Sequence, residues 1–398
     1  MNLKDRFIKY IAIDSMSDEE SGTHPSSKKQ FDFAEILISD LKELGVIDIE
    51  YDPKCYVYAH VNNNKEKTIG LIAHMDTSPS FKGGINHPKE IKNYDGKPII
   101  LNKDCILDPE VFPSLKEVIG EDLLVTDGYH LLGGDDKAGI AIIFEFLKYY
   151  LDHKDEFNYN LSICFTPDEE IGEGSLFFDC KKMKADYAFT LDGGSVYEAN
   201  YENFNASEGK VTFKGINIHP GDAYNVMVNS IQIAAEFAAL FKDELNPSTS
   251  KDHDGYIHLE AAKGELDNFT LHYIFRDFYL DGLEEKEKLF VNNIEVIKNI
   301  YPKVKVEYSI NRQYLNMKPL LIASHDTIDL INKAYIATQN KLSYVPIRGG
   351  TDGASITFKG LPCPNLGVGD FNPHGKYEFV SLTQMSKMVE ILKEIFKS

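Results

Sequence analysis

The chain has 398 residues, 43% hydrophobic and 26% charged, a composition that fits about two globular domains and argues against a disordered or fibrous protein. Its formal charge of −20 argues against nucleic acid or an anionic membrane as partner, because both require a basic footprint. The longest apolar stretch, Gly139 to Leu147, is interrupted by Glu145 and is too short to span a bilayer. Met1 to Ser15 alternates charged and apolar residues like a short amphipathic helix, without the pattern of a secretory signal. The five cysteines (Cys55, Cys105, Cys164, Cys180 and Cys363) are scattered and form no CxxC pair. They are expected to be reduced thiols of a cytoplasmic protein, which leaves any metal to histidines and carboxylates.

In chain order, Phe31 to Leu44 has helical periodicity and stops at Gly45, and Thr68 to Ala73 is a short β-rich run. Lys137 to Tyr150 is helical again, followed by buried-strand patterns at Leu161 to Thr166 and Ala185 to Leu191. Strands alternating with helices predict an α/β domain built on a mainly parallel sheet, with functional residues at the carboxyl ends of its strands. The middle of the chain changes character. Lys210 to Lys214 predicts a strand and Val226 to Phe241 a helix. Tyr256 to Ala262 and Phe269 to Asp277 predict an antiparallel pair, Glu284 to Ile300 a helix stopped by Pro302, and Val304 to Ile310 a last strand. This β-α-β-β-α-β order is that of a ferredoxin-like α+β layer. The first pattern then resumes with helices at Asp326 to Thr338 and Ser381 to Phe396. The expected organisation is a discontinuous α/β domain over residues 1–203 and 317–398, interrupted by an α+β insertion over 204–316.

Five short segments carry side chains suited to metal chemistry. His74-Met75-Asp76 follows an apolar strand, where residues two apart point the same way. The imidazole can reach a metal while the carboxylate fixes its tautomer. Asp135-Asp136 follows Gly133-Gly134 at a helix start, and Asp168-Glu169-Glu170 ends a buried strand. Successive acids there are an electrostatic liability unless a cation or a proton neutralises them. Asp192 with Gly193-Gly194 repeats that logic, and His374 stands in the turn Asn372-Pro373-His374-Gly375. Taken singly, each has a bland reading as a cap, a turn or an exposed acid. Together, two histidines and three acids suffice for two divalent cations if one acid bridges them, which leaves Glu169 free as a proton carrier.

These segments resemble successive motifs of the peptidase T family, the tripeptide aminopeptidases of the co-catalytic dizinc exopeptidase superfamily. The resemblance is carried by His74-Met75-Asp76-Thr77-Ser78-Pro79, Leu132-Gly133-Gly134-Asp135-Asp136-Lys137-Ala138-Gly139 and Phe165-Thr166-Pro167-Asp168-Glu169-Glu170. It continues through Asp192-Gly193-Gly194, Glu202 to Ala206, His219-Pro220-Gly221, Arg276-Asp277-Phe278, Arg348 to Gly353, Leu361 to Leu366 and His374-Gly375-Lys376. It implies that Asp135 bridges two zinc ions, with His74 and Asp192 completing one site and Glu170 and His374 the other. It makes Glu169 the general base and Asp76 the partner of His74, and it implies a cis peptide between Asp135 and Asp136. The insertion would be the family's lid and homodimerisation layer, with His219 and Arg276 as substrate contacts, and Arg348 in the Gly-rich loop would be a further contact, holding the substrate's carboxylate. Two departures stand out: Phe371-Asn372-Pro373 leads into His374 where more aromatics are expected, and Gly134 replaces a small Ala.

The implied activity is release of the N-terminal residue from tripeptides. Rivals within the superfamily are a dipeptidase, a carboxypeptidase or an N-acyl amino-acid deacylase, and outside it a non-catalytic metal-binding scaffold. The ligand types admit cobalt or manganese as well as zinc.

Overall fold

In the computed structural model, which describes residues 1–84 and 87–398, the chain divides into two units. One comprises Met1–Tyr201, Pro319–Val345 and Thr351–Ser398; the other comprises Glu202–Lys318 and Pro346–Gly350.

The first unit is organised around the strand Thr68–His74. Ile69, Leu71 and Ala73 enter the main core, while Ile72 joins a second cluster with Tyr58, Cys164 and Ala188. Successive side chains on a strand face opposite ways, so a strand buried on both faces must be apolar nearly throughout. The strands Asn160–Thr166, Thr68–His74, Tyr187–Leu191 and Asn365–Leu366 lie side by side and parallel. Beyond them the sheet becomes mixed: Val57–Val61 and Asp48–Tyr51 add antiparallel on one side, and Glu198–Asn200 adds antiparallel on the other. The connection from Asp52 to Tyr56 is short enough for a hairpin, whereas a parallel neighbour needs a long crossover. Sequence periodicity did not separate these short strands from loop.

Helix Gly134–Asp152 runs through the main core. Its residues from Ala138 to Phe144 are all buried, as expected of a helix packed on every side. Gly139 permits its close approach to the sheet, since a Cβ there would stand 2.2 Å from the carbonyl oxygen of Leu191. Helices Leu3–Ile11, Asp326–Ala337 and Leu382–Lys397 contribute Phe7, Ile331 and Leu392 to the same core. A smaller antiparallel sheet orders Asp370–Phe371, Phe379–Ser381, Leu123–Val125 and Lys89–Ile91.

The second unit is the expected β-α-β-β-α-β layer. Its antiparallel strands stand in the order Tyr256–Glu265, Asn268–Asp277, Asn205–Lys214, Lys305–Tyr314. Helices Ser230–Ala239 and Leu280–Ile300 cover one face, where Phe237, Phe290 and Ile294 pack on Val211, Phe213 and Phe275.

Candidate metal centre

Three parallel neighbours of the main sheet deliver their side chains at adjacent ends. His74 closes its strand, Asp192 follows Leu191, and the turn Glu169–Ile171 follows Thr166. Ligand sites in open α/β sheets form at such carboxyl ends. Asp135 arrives from the start of the core helix. Gly133 there adopts φ +77°, a left-handed conformation that suits glycine, and the Asp135–Asp136 peptide is cis. His374 comes from the turn after Asp370–Phe371, itself at φ +65°.

Asp135 lies at the middle of the cluster. Its Oδ1 is 2.8 Å from His74 Nε2, and its Oδ2 is 3.2 Å from His374 Nε2. On one side His74 Nε2 lies 3.9 Å from Asp192 Oδ1; on the other, His374 Nε2 lies 2.8 Å from Glu170 Oε2. Glu170 Oε1 is buried and has no hydrogen-bond partner among the described residues. Asp136, although adjacent, is committed elsewhere: its Oδ1 accepts the Gly139 N–H and its Oδ2 the His74 N–H.

Burial sets the electrostatics of the cluster. It pushes the carboxyls of Glu169, Glu170 and Asp192 above the usual carboxylate range, and neighbouring acids add to the effect. Burial would also raise Asp135, but the two imidazoles facing it hold it well below that range. His374 is pushed up to about 10 by its bonds to Asp135 and Glu170. His74 is raised too, because Asp135 and Asp76 together outweigh the burial that opposes its charge. Acids this close and this buried call for positive charge between them. Two imidazoles, two carboxylates set apart and one carboxylate facing both imidazoles form an N/O donor set that fits a pair of divalent cations.

Asp76 does more than the sequence suggested. Its Oδ1 lies 3.3 Å from His74 Nδ1, and the hydrogen bond of that nitrogen goes to the backbone carbonyl of Asp76 at 3.1 Å, so Asp76 fixes the ring through its main chain as well as its carboxylate. The same carboxylate accepts the N–H of Glu169 at 3.0 Å and that of Glu170 at 3.1 Å. It is fully buried, and it ties the histidine strand to the acidic turn.

His219, Arg276 and Arg348 all belong to the second unit. His219 is exposed, and its Nδ1 accepts the Gly221 N–H. Arg276 donates to the carbonyls of Ser207 and Phe275 and lies over the Tyr314 ring. Arg348 donates to the carbonyls of Asp252 and Asp254 and to Ser250 Oγ. In this state its guanidinium braces the loop that contains those residues, a commitment that sequence could not reveal. Sequence reasoning also passed over Asp352 and Glu378, two buried carboxyls raised to about 7 by burial. Asp352 lay inside a quoted motif, but nothing in the sequence marks either residue as buried.

The family model of peptidase family M20/M25/M40 matches residues 125–398. The chain belongs to this family. Peptidase T of Clostridium novyi (strain NT) is 42% identical to it over 397 residues, covering 98% of both chains. In fold, the chain is similar to aminopeptidase PepT from Bacillus cereus ATCC 10987, with TM-score 0.77 at 20% identity, over 100% of this chain and 97% of that one. It is also similar to the Bacillus subtilis YXEP protein, described as a dinuclear metal-binding peptidase of the M20 family, with TM-score 0.66 at 12% identity over 99% and 96%.

Proposed function

We propose that this M20/M25/M40 member is a tripeptide aminopeptidase working with two zinc ions. The observation that carries the reading is that the two oxygens of Asp135 face two different imidazoles, each with its own carboxylate partner. The likeness to peptidase T of Clostridium novyi supports this reading.

In this reading His74, Asp192, Glu170, His374 and Asp135 would hold the cations, His74 and Asp192 on one side of Asp135 and Glu170 and His374 on the other. Bound there, a pair of divalent cations lowers the pKa of water and polarises the carbonyl under attack. Glu169 is the catalytic base. It takes a proton from the attacking water as the new C–O bond forms, and returns it to the amine nitrogen as the C–N bond breaks. Asp76 is a positioning residue: it fixes the ring of His74 and, through two backbone N–H groups, the turn bearing Glu169 and Glu170. His219, Arg276 and Arg348 are assigned to substrate contact. For Arg348 the chemistry is a guanidinium on the peptide's terminal carboxylate. Arg348 would exchange its present loop carbonyls for that carboxylate.

The domain plan that goes with this reading is a catalytic domain over 1–203 and 317–398, with 204–316 as lid and homodimer layer. We assign the chain to the cytoplasm. Its cysteines are all free, and among the described residues no helix is long and apolar enough to cross a membrane.

Metal content, together with products from a free tripeptide, tests the function. Two zinc equivalents per chain and release of the N-terminal residue are expected, with dipeptides and N-blocked tripeptides poor substrates. Equal cleavage of blocked and free tripeptides would remove the aminopeptidase assignment.

A further inference from the structure

Glu378 is fully buried, and among the described residues the hydrogen-bond partners of its carboxylate are backbone N–H groups. Its carboxylate is filled by backbone. Oε2 accepts the N–H groups of Leu132 at 2.9 Å and Gly133 at 3.0 Å, and Oε1 accepts that of Asp135 at 3.1 Å. Three amide donors from one four-residue stretch thus converge on a single acceptor whose own position lies 243 residues further along the chain.

The place of Glu378 in the chain gives this clasp its meaning. It lies four residues after His374, in the segment that leads into strand Phe379–Ser381. His374 meets the side chain of Asp135 at Oδ2, and Glu378 meets the backbone N–H of the same residue. One short segment therefore holds Asp135 at both ends. Asp76 acts in the same way on the other side, touching His74 through one oxygen and clasping the N–H groups of Glu169 and Glu170. Each buried carboxylate joins two ligand-bearing segments that are distant in sequence. Side-chain geometry at a site is held when the backbone beneath it has no freedom to turn.

We propose that Glu378 is the positioning residue of the Asp135 carboxylate. By fixing the 132–135 backbone, it aims the two Asp135 oxygens at separate cations. This rests on the two-cation reading above.

The Glu378→Gln variant tests it, because the amide keeps the volume but presents N–H donors where the loop also presents donors. The chain should fold with unchanged far-UV circular dichroism. Co²⁺ affinity should fall on the order of 10–100-fold, with a changed visible Co²⁺ spectrum. In the zinc-loaded enzyme kcat should fall while KM stays nearly constant. Hydrogen exchange on the wild-type chain supplies a readout independent of any variant. The amides of Leu132, Gly133 and Asp135 should remain protected after chelation, since Glu378 and not the cations holds them. Rapid exchange at those amides in the chelated chain overturns the proposal, and so does native Co²⁺ affinity and spectrum in Glu378→Gln. Asp135→Asn separates this from the parent reading. If that variant keeps both cations at native affinity, the two-cation centre fails. If it loses them while Glu378→Gln keeps them, only the positioning role fails.

Discussion

Glu169 and Glu170 are neighbours on one turn, yet their carboxylates have different tasks. Both turn N–H groups are held by Asp76; Glu170 faces His374, and the proposed proton carrier is the Glu169 carboxyl. Glu169→Gln removes that proton carrier without removing a metal ligand. Turnover should fall by ~10²–10⁴-fold, the range of general acid–base contributions, while metal analysis still finds two equivalents. Retained turnover would require another base. Gly134 poses a second question at this scale, since the family resemblance puts Ala there. A Cβ on Gly134 would stand 2.3 Å from Asp370 Oδ1 and 2.5 Å from Val380 Cγ2. Asp370 is buried with both carboxylate oxygens unpartnered among the described residues, and burial raises its carboxyl. A methyl at Gly134 and the Asp370 carboxylate would occupy one space. Gly134→Ala should therefore cost about 1–3 kcal/mol of overpacking, and adding Asp370→Gly should recover the part due to the carboxylate while the Val380 contact remains. Denaturant midpoints of the single and double variants check this; a double variant no more stable than Gly134→Ala alone would break the link.

At the scale of elements, periodicity and end signals were legible in different degrees. The β-α-β-β-α-β order of the second unit was readable because each strand and helix is long and apolar on one side, as Phe237, Phe290 and Phe275 illustrate. Its boundaries were not. The apolar pattern placed a helix start at Val226, but the helix runs from Ser230, because Asn229 Oδ1 accepts the N–H groups of Ile231 and Gln232. A side-chain cap fixes the end of a helix more sharply than periodicity does. Asn229→Ala should lower the stability of this unit by ~1 kcal/mol and speed amide exchange in the first turn of Ser230–Ala239. Unchanged exchange there would show that packing alone sets the boundary. The site was legible in part for a related reason. His74, Glu170 and Asp192 follow strands whose apolar runs are visible in sequence, so their shared edge could be anticipated. Glu378 and Asp370 could not be found this way, because only the pairing of Phe379–Ser381 with Leu123–Val125 and Asp370–Phe371 brings them beneath the Asp135 loop. Long-range register of two- and three-residue strands leaves almost no trace in local sequence.

Over the whole molecule, the cluster makes stability depend on cations and pH together. In the chelated chain, Glu169, Glu170 and Asp192 titrate above the usual carboxylate range because they are buried, and Asp352 and Glu378 titrate near about 7. The same acids titrate near ~4 when unfolded. A group whose folded pKa exceeds its unfolded one stabilises the fold below the unfolded value and loses that contribution as pH rises through the folded one. His374, raised to about 10 against an unfolded value near ~6.5, acts in the same direction. Groups with a depressed pKa act the opposite way, among them Asp135, Lys137 and His60. Asp135 is depressed, so its contribution is lost only as pH falls below ~4. Lys137, which burial lowers to about 8, adds stability as pH rises from there toward ~10.5. Between about pH 5 and 7.5 the acids and His374 of the cluster therefore share one sign, opposed by His60, whose imidazole burial lowers, and on balance the chelated chain weakens as pH rises. Cations reverse this dependence, because they bind the deprotonated carboxylates and neutral imidazoles that higher pH supplies. The expected outcome is a Tm gap between loaded and chelated protein that is wider at about pH 7.5 than at about pH 6, with most of the change in the chelated sample. Calorimetric scans at the two pH values decide it. A gap that stays constant or narrows would mean that the acids of the centre do not carry the charge this geometry implies.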